Sequence, residues 1–198
     1  MVILRQTAIS LLVLALGIPV GAALAQEAAS STKMTSTSST SHATAGTLEK
    51  VSQDGKTITV KAADGTEHVF KVTGKTVVTG TEAGAKDVGL AGKEGSQVVV
   101  KYTGEGADKT AHAVEVTGKE TLKATEGTVT AVGKGGHTVT VKLADGTEKT
   151  FDLGKEAMVD TGHGVSEGSK FTAKEGEKVV VYSTVKPAGE VVHLFKKL

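Results

Sequence analysis

The chain has 198 residues, of which 23 are Lys or Arg, 22 are Asp or Glu and none is Cys. With a near balance of charge, four Phe, two Tyr and no Trp, it lacks both the electrostatic field and the stacking platforms that nucleic-acid-binding surfaces use. The absence of cysteine excludes disulfides, and in an exported chain it is more typical of a bacterial periplasm or cell surface than of a small disulfide-bonded secreted domain.

The first 25 residues have the features of a secretory signal. Arg5 precedes a nearly uninterrupted apolar run over residues 8–20, and the small residues Ala23 and Ala25 stand where signal peptidase requires them. Cleavage after Ala25 removes Arg5 alone among the charged residues, so 22 basic and 22 acidic residues remain. We therefore predict a periplasmic or secreted protein without stable membrane insertion. The alternative is an uncleaved anchor over residues 8–25, which Gly and Pro weaken as a helix.

Low-complexity segments divide the rest of the chain. Residues 26–45 are mostly Ser, Thr and Ala, and this low apolar content predicts a disordered linker. A second linker is predicted over residues 117–126. Two units remain, 46–116 and 127–198, each of about 70 residues and therefore with a thin core.

The two units are copies of one another. Residues 46–70 and 127–151 align at an offset of 81 without a gap and are identical at 14 of 25 positions. The same offset holds for residues 93–95, 98–100 and His112. The recurring residues are mostly turn formers and alternating apolar residues, which specify a fold and leave its chemistry open.

Apolar and polar residues alternate in the first unit, as in half-buried strands. The alternation is clearest over residues 57–62, and the turns at Asp54-Gly55 and Asp64-Gly65 provide the positive φ that tight hairpins need. A Gly-rich loop is predicted over residues 80–95. Six strands are predicted, over residues 47–52, 56–62, 67–72, 76–79, 97–103 and 110–116.

No long segment keeps an apolar stripe of helical period without an interrupting Gly. Five or six short strands in so small a unit close most economically into a barrel, because closure hides the sheet edges. The sequence therefore predicts an all-β protein of two tandem small barrels, OB-like or SH3-like, after a signal peptide and a disordered linker.

The order of these elements resembles a broad group of bacterial exported small-barrel domains of unknown function. Their pattern runs Gly-x-Val, a DG-type turn, a T-x-T-V strand, a second DG turn, a loop, Gly-x-x-V-x-V and a closing strand. Residues 46–116 and 127–195 follow this pattern. The resemblance implies a small-barrel fold and an envelope location.

The strand plan is also similar to that of periplasmic OB-fold copper carriers of the efflux type. That family binds copper with a His, a Trp and two closely spaced Met residues. This chain has no Trp, and Met158 is the only Met in either unit. The family's ligands therefore cannot be carried over to this sequence.

Four residues are candidate metal ligands: His112, His193, Met158 and His163. His112 and His193 are the histidines that both copies share, as a duplicated ligand pocket would require, although a single strand His is more often structural. His163 lies five residues after Met158 and could join it in a soft-metal site. The alternative for His163, whose counterpart is Glu82, is a solvated loop side chain.

Two equivalent carboxylate pairs lie beside the turn glycines: Asp64 with Glu67, and Asp145 with Glu148. A turn-forming role for the aspartates is favoured over acid-base catalysis. The Gly-rich loop has neither the Lys-Ser/Thr pair nor the following helix of a nucleotide-binding loop, and no G-x-S-x-G elbow occurs. The sequence therefore predicts no catalytic residue, no cofactor and no enzyme.

These patterns favour a non-catalytic, exported binding or structural module of the bacterial cell envelope. Its partner would be an unidentified envelope or extracellular ligand or protein, and not a nucleic acid. The alternative from another functional class is a periplasmic metal carrier of the copper type that uses the histidines and Met158.

Overall fold

The computed structural model describes residues 39–80 and 89–198, all within one compact unit, Thr37–Leu198. The predicted signal segment and most of the first linker lie outside the described residues. The described chain consists of thirteen strands and one 3-10 turn, Gly168–Lys170, without an α-helix. The all-β prediction is confirmed. No helix in this part of the chain is long and apolar enough to cross a membrane.

The first six strands follow the predicted order. They are β1 (Ser41–Val51), β2 (Thr57–Ala62), β3 (Glu67–Lys71), β4 (Val77–Gly80), β5 (Gln97–Thr103) and β6 (Thr110–Gly118). The next seven are β7 (Lys123–Val132), β8 (Thr138–Lys142), β9 (Glu148–Asp152), β10 (Met158–Asp160), β11 (Val165–Glu167), β12 (Lys178–Lys186) and β13 (Gly189–Lys197).

The strands form two sheets with the same internal order. The first sheet is β3-β2-β1-β5-β6-β4, and the second is β9-β8-β7-β12-β13-β10-β11. Neighbours are antiparallel, except that β4 pairs with β6 and β10 with β13 in parallel. In the first sheet, a single pair, Lys71 with Thr110, also joins β3 to β6. This sheet therefore curls back towards its own edge, while closure of each sheet into a barrel stays a prediction.

Each sheet packs around its own apolar core. The first core is built from inward residues of β1, β2, β3, β5 and β6, including Leu48, Ile58, Val60, Phe70, Val98 and Val100. The second contains their counterparts Val129, Val139, Val141, Phe151, Val179 and Val181. Because burying each such side chain contributes roughly 1.5–3 kcal/mol, these positions explain why both copies keep the same apolar alternation.

The structure corrects both predicted linkers. β1 begins at Ser41, so residues 41–45 belong to a strand and not to the linker predicted over 26–45. Ala43 and Ala45 are buried where β1 pairs with β5, but such small residues give no apolar signal in a Ser/Thr-rich segment. β6 ends at Gly118 and β7 begins at Lys123, which leaves residues 119–122 between the sheets instead of 117–126. Pairing with neighbouring strands, which local composition does not encode, orders these segments.

A third apolar cluster, the interface cluster, joins the two repeats. Ala43, Ala45 and Val99 of the first repeat pack with Leu194 of the second, and Leu122, Met158, Val165 and Tyr182 lie around them. Two hydrogen bonds cross the same interface. The Ala43 N–H donates to Asp160 Oδ2 at 2.8 Å, and the Val165 N–H donates to Ser41 Oγ at 3.0 Å. The two repeats therefore share a buried interface that lies outside both cores.

Candidate functional site

The two histidines that the copies share make the same side-chain contact in each copy. His112 Nε2 lies 2.8 Å from Thr103 Oγ1, and His193 Nε2 lies 2.8 Å from Thr184 Oγ1. Thr103 and Thr184 are themselves separated by the offset of 81. The recurring element is thus a His-Thr pair between two neighbouring strands.

The surroundings of the two pairs differ. His112 is exposed, whereas His193 is 3% exposed and its Nδ1 lies 2.8 Å from Glu115 Oε1 of the first repeat. Both ring nitrogens of His193 are therefore hydrogen-bonded, and a metal could use this imidazole only after one of those bonds is broken.

The remaining two candidate ligands are placed differently from each other. Met158 is half-buried on β10, in the interface cluster, while His163 is exposed in the turn between β10 and β11. The His163 N–H donates to Thr161 Oγ1 at 3.4 Å. Within residues 39–80 and 89–198, no three His, Asp or Glu side chains are grouped as a metal site would need.

The carboxylates near the turn glycines form the turns that the sequence predicts. Asp64 Oδ1 accepts the Thr66 N–H and Asp145 Oδ1 accepts the Thr147 N–H, both at 2.9 Å. The hydrogen bond from the Thr66 N–H holds the pKa of Asp64 below its usual range, and the Thr147 hydroxyl does the same for Asp145. A lowered pKa favours a permanently ionised turn residue and disfavours a general acid. Glu67 and Glu148 are exposed.

A polar pair that the sequence analysis missed links equivalent positions in both sheets. In the first repeat, Lys109 Nζ lies 2.8 Å from His68 Nδ1. In the second, the equivalent positions hold Glu190 and Lys149, which form an ion pair with 2.6 Å between Lys149 Nζ and Glu190 Oε2. Between the copies, His68 is replaced by Lys149 and Lys109 by Glu190, so both partners of the contact differ together. This paired difference is the sequence signal that could have revealed the contact.

The environment of His68 fixes its role in this pair. Burial, followed by the positive charge of Lys109, lowers the pKa of His68, so the neutral imidazole accepts a hydrogen bond from the Lys109 ammonium. Lys109 Nζ also lies 5.9 Å from the Phe70 ring centroid and 5.7 Å from that of Tyr102. A cation held between aromatic faces and a neutral acceptor stabilises the contact between β3 and the start of β6.

A cleft of about 500 Å³, the junction cleft, lies where the two repeats meet. Lys101 and Glu115 line it from the first repeat. From the second repeat its lining includes Lys155, Glu156, Met158, Val165 and Glu167. Basic, acidic and apolar side chains therefore face one concave surface, as in a binding site for a ligand with mixed polarity.

Some charges of the junction cleft are engaged and others are not. Glu115 bonds His193, and Lys170 lies 2.9 Å from Glu167 and lowers the pKa of Glu167 through that hydrogen bond. Lys101, Lys155 and Glu156 form no ion pair with any described residue. The cleft thus presents to a ligand two cations and one carboxylate that have no described ion-pair partner.

No protein family and no curated protein matches the chain. Similar solved structures include silver(I)-bound CusF, with a TM-score of 0.30 and 15% identity over 39% of this chain and 97% of that one. A Cu(II)-bound CusF variant from Escherichia coli has a TM-score of 0.30 and 15% identity over 39% of this chain and 92% of that one. Apo-CusF from Escherichia coli has a TM-score of 0.31 and 15% identity over 43% of this chain and 96% of that one.

Proposed function

We propose that the chain is a non-catalytic, exported binding module of the bacterial cell envelope, built from two tandem small barrels, and that the junction cleft is its ligand site. The observation that carries the proposal is the cleft itself, about 500 Å³ in volume and lined by both repeats. A site at the meeting of two units is a common position for ligand binding. Lys101 and Lys155 offer positive charges to acidic groups of a ligand, and Val165 offers an apolar surface against which an apolar part of the ligand can be buried.

Charge reversal in the cleft tests this proposal. Lys101→Glu is compared with Lys75→Glu, an exposed lysine that does not line the cleft, in captures from envelope extracts of the source bacterium followed by mass spectrometry. We expect at least one envelope component to be retained by the natural chain and by Lys75→Glu and lost with Lys101→Glu. A captured set that Lys101→Glu leaves unchanged would contradict the assignment of the cleft.

Export is part of the proposal and has its own test. The Ala23-Leu24-Ala25 triplet and the apolar run before it support cleavage after Ala25. The intact mass of protein recovered from the periplasmic or culture fraction should correspond to a chain that begins at Gln26. A product that keeps Met1 in the membrane fraction would show that the segment is an anchor.

A metal carrier is the second candidate, and one observation favours it. Met158 and Glu115 line the same cleft, and Glu115 bonds His193, so three potential ligand residues lie close to one surface. We nevertheless expect no specific metal binding, because His193 is already satisfied at both ring nitrogens and the copies differ at most other candidate ligands. Calorimetric titration of the mature, tag-free protein with Cu(I), Cu(II) and Zn(II) measures this. Stoichiometric, sub-micromolar binding that is lost in the His112→Ala/His193→Ala double variant would establish the metal carrier instead.

A further inference from the structure

The junction cleft contains a carboxylate whose direction is set by buried side chains. Glu115 Oε1 lies 2.8 Å from His193 Nδ1, and His193 Nε2 lies 2.8 Å from Thr184 Oγ1. Because a carboxylate can only accept, Nδ1 carries the proton of the first hydrogen bond. His193 and Thr184 are both buried, so this chain of hydrogen bonds holds the Glu115 side chain in one orientation beside the cleft.

The second oxygen of Glu115 is available to a ligand. Glu115 lines the cleft, and its side chain is 14% exposed. Its Oε2 has no hydrogen-bond partner among the described residues, since its contact with His193 is made through Oε1. A carboxylate that is already held in place loses little freedom when it binds, so it is preorganised to accept a hydrogen bond from a cationic donor.

A positive charge lies beside this carboxylate without neutralising it. Lys101 lies opposite Ala113 in the antiparallel pair of β5 and β6, and Glu115 lies two residues further along β6. Lys101 and Glu115 are therefore diagonal neighbours on one face of the sheet, about 7–8 Å apart. Glu115 pairs with His193 and not with Lys101. This face thus offers two separate, opposite charges at a spacing that a small molecule can span.

The other charges of the cleft lining balance or are already paired. Lys155 and Glu156 are adjacent, exposed and opposite in sign, and Glu167 is paired with Lys170. A ligand that is only a cation would leave Lys101 without a partner, and a ligand that is only an anion would leave Glu115 Oε2 without one. A ligand that carries both charges satisfies both residues.

A comparison of the two repeats shows where the space for a ligand comes from. Ala113 lines the cleft, and its counterpart at the offset of 81 is Leu194, which is fully buried in the interface cluster. The smaller side chain leaves room on this face of the first repeat. Met158 and Val165 of the second repeat also line the cleft, so an apolar group of the ligand can be buried against them.

We propose that the junction cleft binds a small zwitterion with an apolar side group, the chemistry of an apolar α-amino acid or of a dipeptide built from such residues. The ligand ammonium donates to Glu115 Oε2, the ligand carboxylate pairs with Lys101, and the apolar group packs on Met158 and Val165. This inference rests on the proposed function of the junction cleft and names the chemical class that the cleft selects.

Amide NMR titration of the mature chain with four small molecules tests the proposal. Leucine and leucyl-leucine carry both charges, whereas leucinamide lacks the carboxylate and N-acetylleucine lacks the ammonium. We expect at least one of the two zwitterions to shift amides of residues 113–115, 155–158 and 165–167, and the singly charged analogues to bind at least about tenfold more weakly. Shifts centred elsewhere, no shifts at millimolar ligand, or equal affinity of the singly charged analogues would overturn the proposal.

Variants of the cleft test the individual contacts. Glu115→Gln keeps an acceptor for His193 but removes the charge, so it should weaken zwitterion binding at least about tenfold and change N-acetylleucine binding by less than about twofold. Glu105→Gln is the matched control, because Glu105 is exposed and does not line the cleft. Ala113→Leu places the side chain of the counterpart in the cleft and should abolish binding of all four molecules.

Dispersed amide spectra show that each variant is folded. Equal weakening of leucine and N-acetylleucine by Glu115→Gln would contradict the ammonium contact, because the effect would then not depend on the ligand's positive charge. Unchanged binding in Ala113→Leu would contradict the placement of the ligand in the cleft.

These results are separable from those of the envelope captures. If no zwitterion binds while Lys101→Glu still changes the captured set, the cleft remains the binding site and the assigned ligand class is wrong. If zwitterions bind as expected while Lys101→Glu leaves the captured set unchanged, the ligand class stands and capture of an envelope component through the cleft is wrong.

Discussion

Gly65 and Gly146 occupy the same left-handed turn position in the two repeats. Their φ angles are +83° and +84°, and no atom outside the adjacent residues lies close to a Cβ built at either position. The requirement for glycine at this position is therefore a property of the backbone conformation and not of packing.

Gly65→Val should lower the free energy of unfolding by roughly 1–3 kcal/mol, because a β-branched residue is strained at positive φ. Gly74→Val is the matched control, since Gly74 also has open space around it but no positive φ. Thermal or urea unfolding of the two variants measures the difference. Equal stability of the two variants would show that the turn does not depend on the left-handed conformation of Gly65.

The pH dependence of stability should carry a contribution from His68. Burial and the charge of Lys109 lower the pKa of His68 from its ordinary value of 6.5. Above about pH 6.5 the imidazole is neutral in both states; as the pH falls further, the unfolded chain takes up the proton more readily than the folded chain. The stability contribution is therefore fully present above about pH 6.5 and is lost as the pH falls towards the lowered folded pKa.

His68→Gln should remove this contribution. The free energy of unfolding of the natural chain should therefore fall relative to that of His68→Gln as the pH drops below about 6.5, and the difference between the two should stay constant above that pH. Lys109→Met should reduce the pH dependence, because it removes the nearby positive charge that, after burial, contributes most to the lowered pKa of His68. Urea unfolding at a series of pH values provides both profiles. Parallel profiles for the natural chain and His68→Gln would rule out the neutral-histidine contact.

At the scale of the strands, Asp160 connects β1 of the first repeat with the end of β10. It is 1% exposed, its Oδ2 accepts the Ala43 N–H at 2.8 Å, and its Oδ1 accepts the Gly162 N–H at 2.9 Å. A buried carboxylate that accepts two backbone donors is expensive to remove, because the donors lose their partner while remaining away from water.

Asp160→Ala should destabilise the protein by about 1–3 kcal/mol, the cost of leaving a buried donor unsatisfied. Asp152→Ala is the control, because Asp152 is an exposed residue of β9, the strand that precedes β10 in the chain, and such changes usually stay within about 0.5 kcal/mol. Hydrogen exchange of the Ala43 amide gives a local readout, and it should accelerate in Asp160→Ala alone. Unchanged protection of that amide would contradict the proposed role of the contact.

At the scale of the whole molecule, residues 39–80 and 89–198 form two cores and one shared interface. Each core is complete within its own sheet, so fragments 46–116 and 127–198 should each give the dispersed amide spectrum of a β fold. Because β1 starts at Ser41, a fragment over residues 41–118 should melt at a higher temperature than one over residues 46–118. The added residues restore pairing with β5 and the buried Ala43 and Ala45.

Spectra without dispersion from both fragments would show that the repeats depend on a common core. Equal melting temperatures for the shorter and longer versions of the first repeat would show that residues 41–45 contribute nothing by themselves. In that case this part of β1 would depend on the second repeat. Only the intact chain offers the contacts of Ala43 with Asp160 and Leu194.

The sequence by itself determined the all-β class, the strand positions and the turns. These features depend on local alternation, on glycine at positive φ and on aspartate side chains that bond residues two positions away, so they are written in neighbouring residues and recur at the offset of 81. The turn-forming role of Asp64 and Asp145 could be predicted for the same reason, because each aspartate bonds a backbone N–H only two residues away.

Only the tertiary structure decided the ends of β1, β6 and β7 and the environments of equivalent residues. Alanines in a Ser/Thr-rich segment became a buried strand because β5 and the second repeat cover them. His112 and His193 make the same bond to threonine, yet one is exposed and the other is buried against Glu115. A duplicated sequence fixes what two copies share. How one copy packs on the other depends on contacts between residues far apart in the chain, and these contacts make the junction cleft.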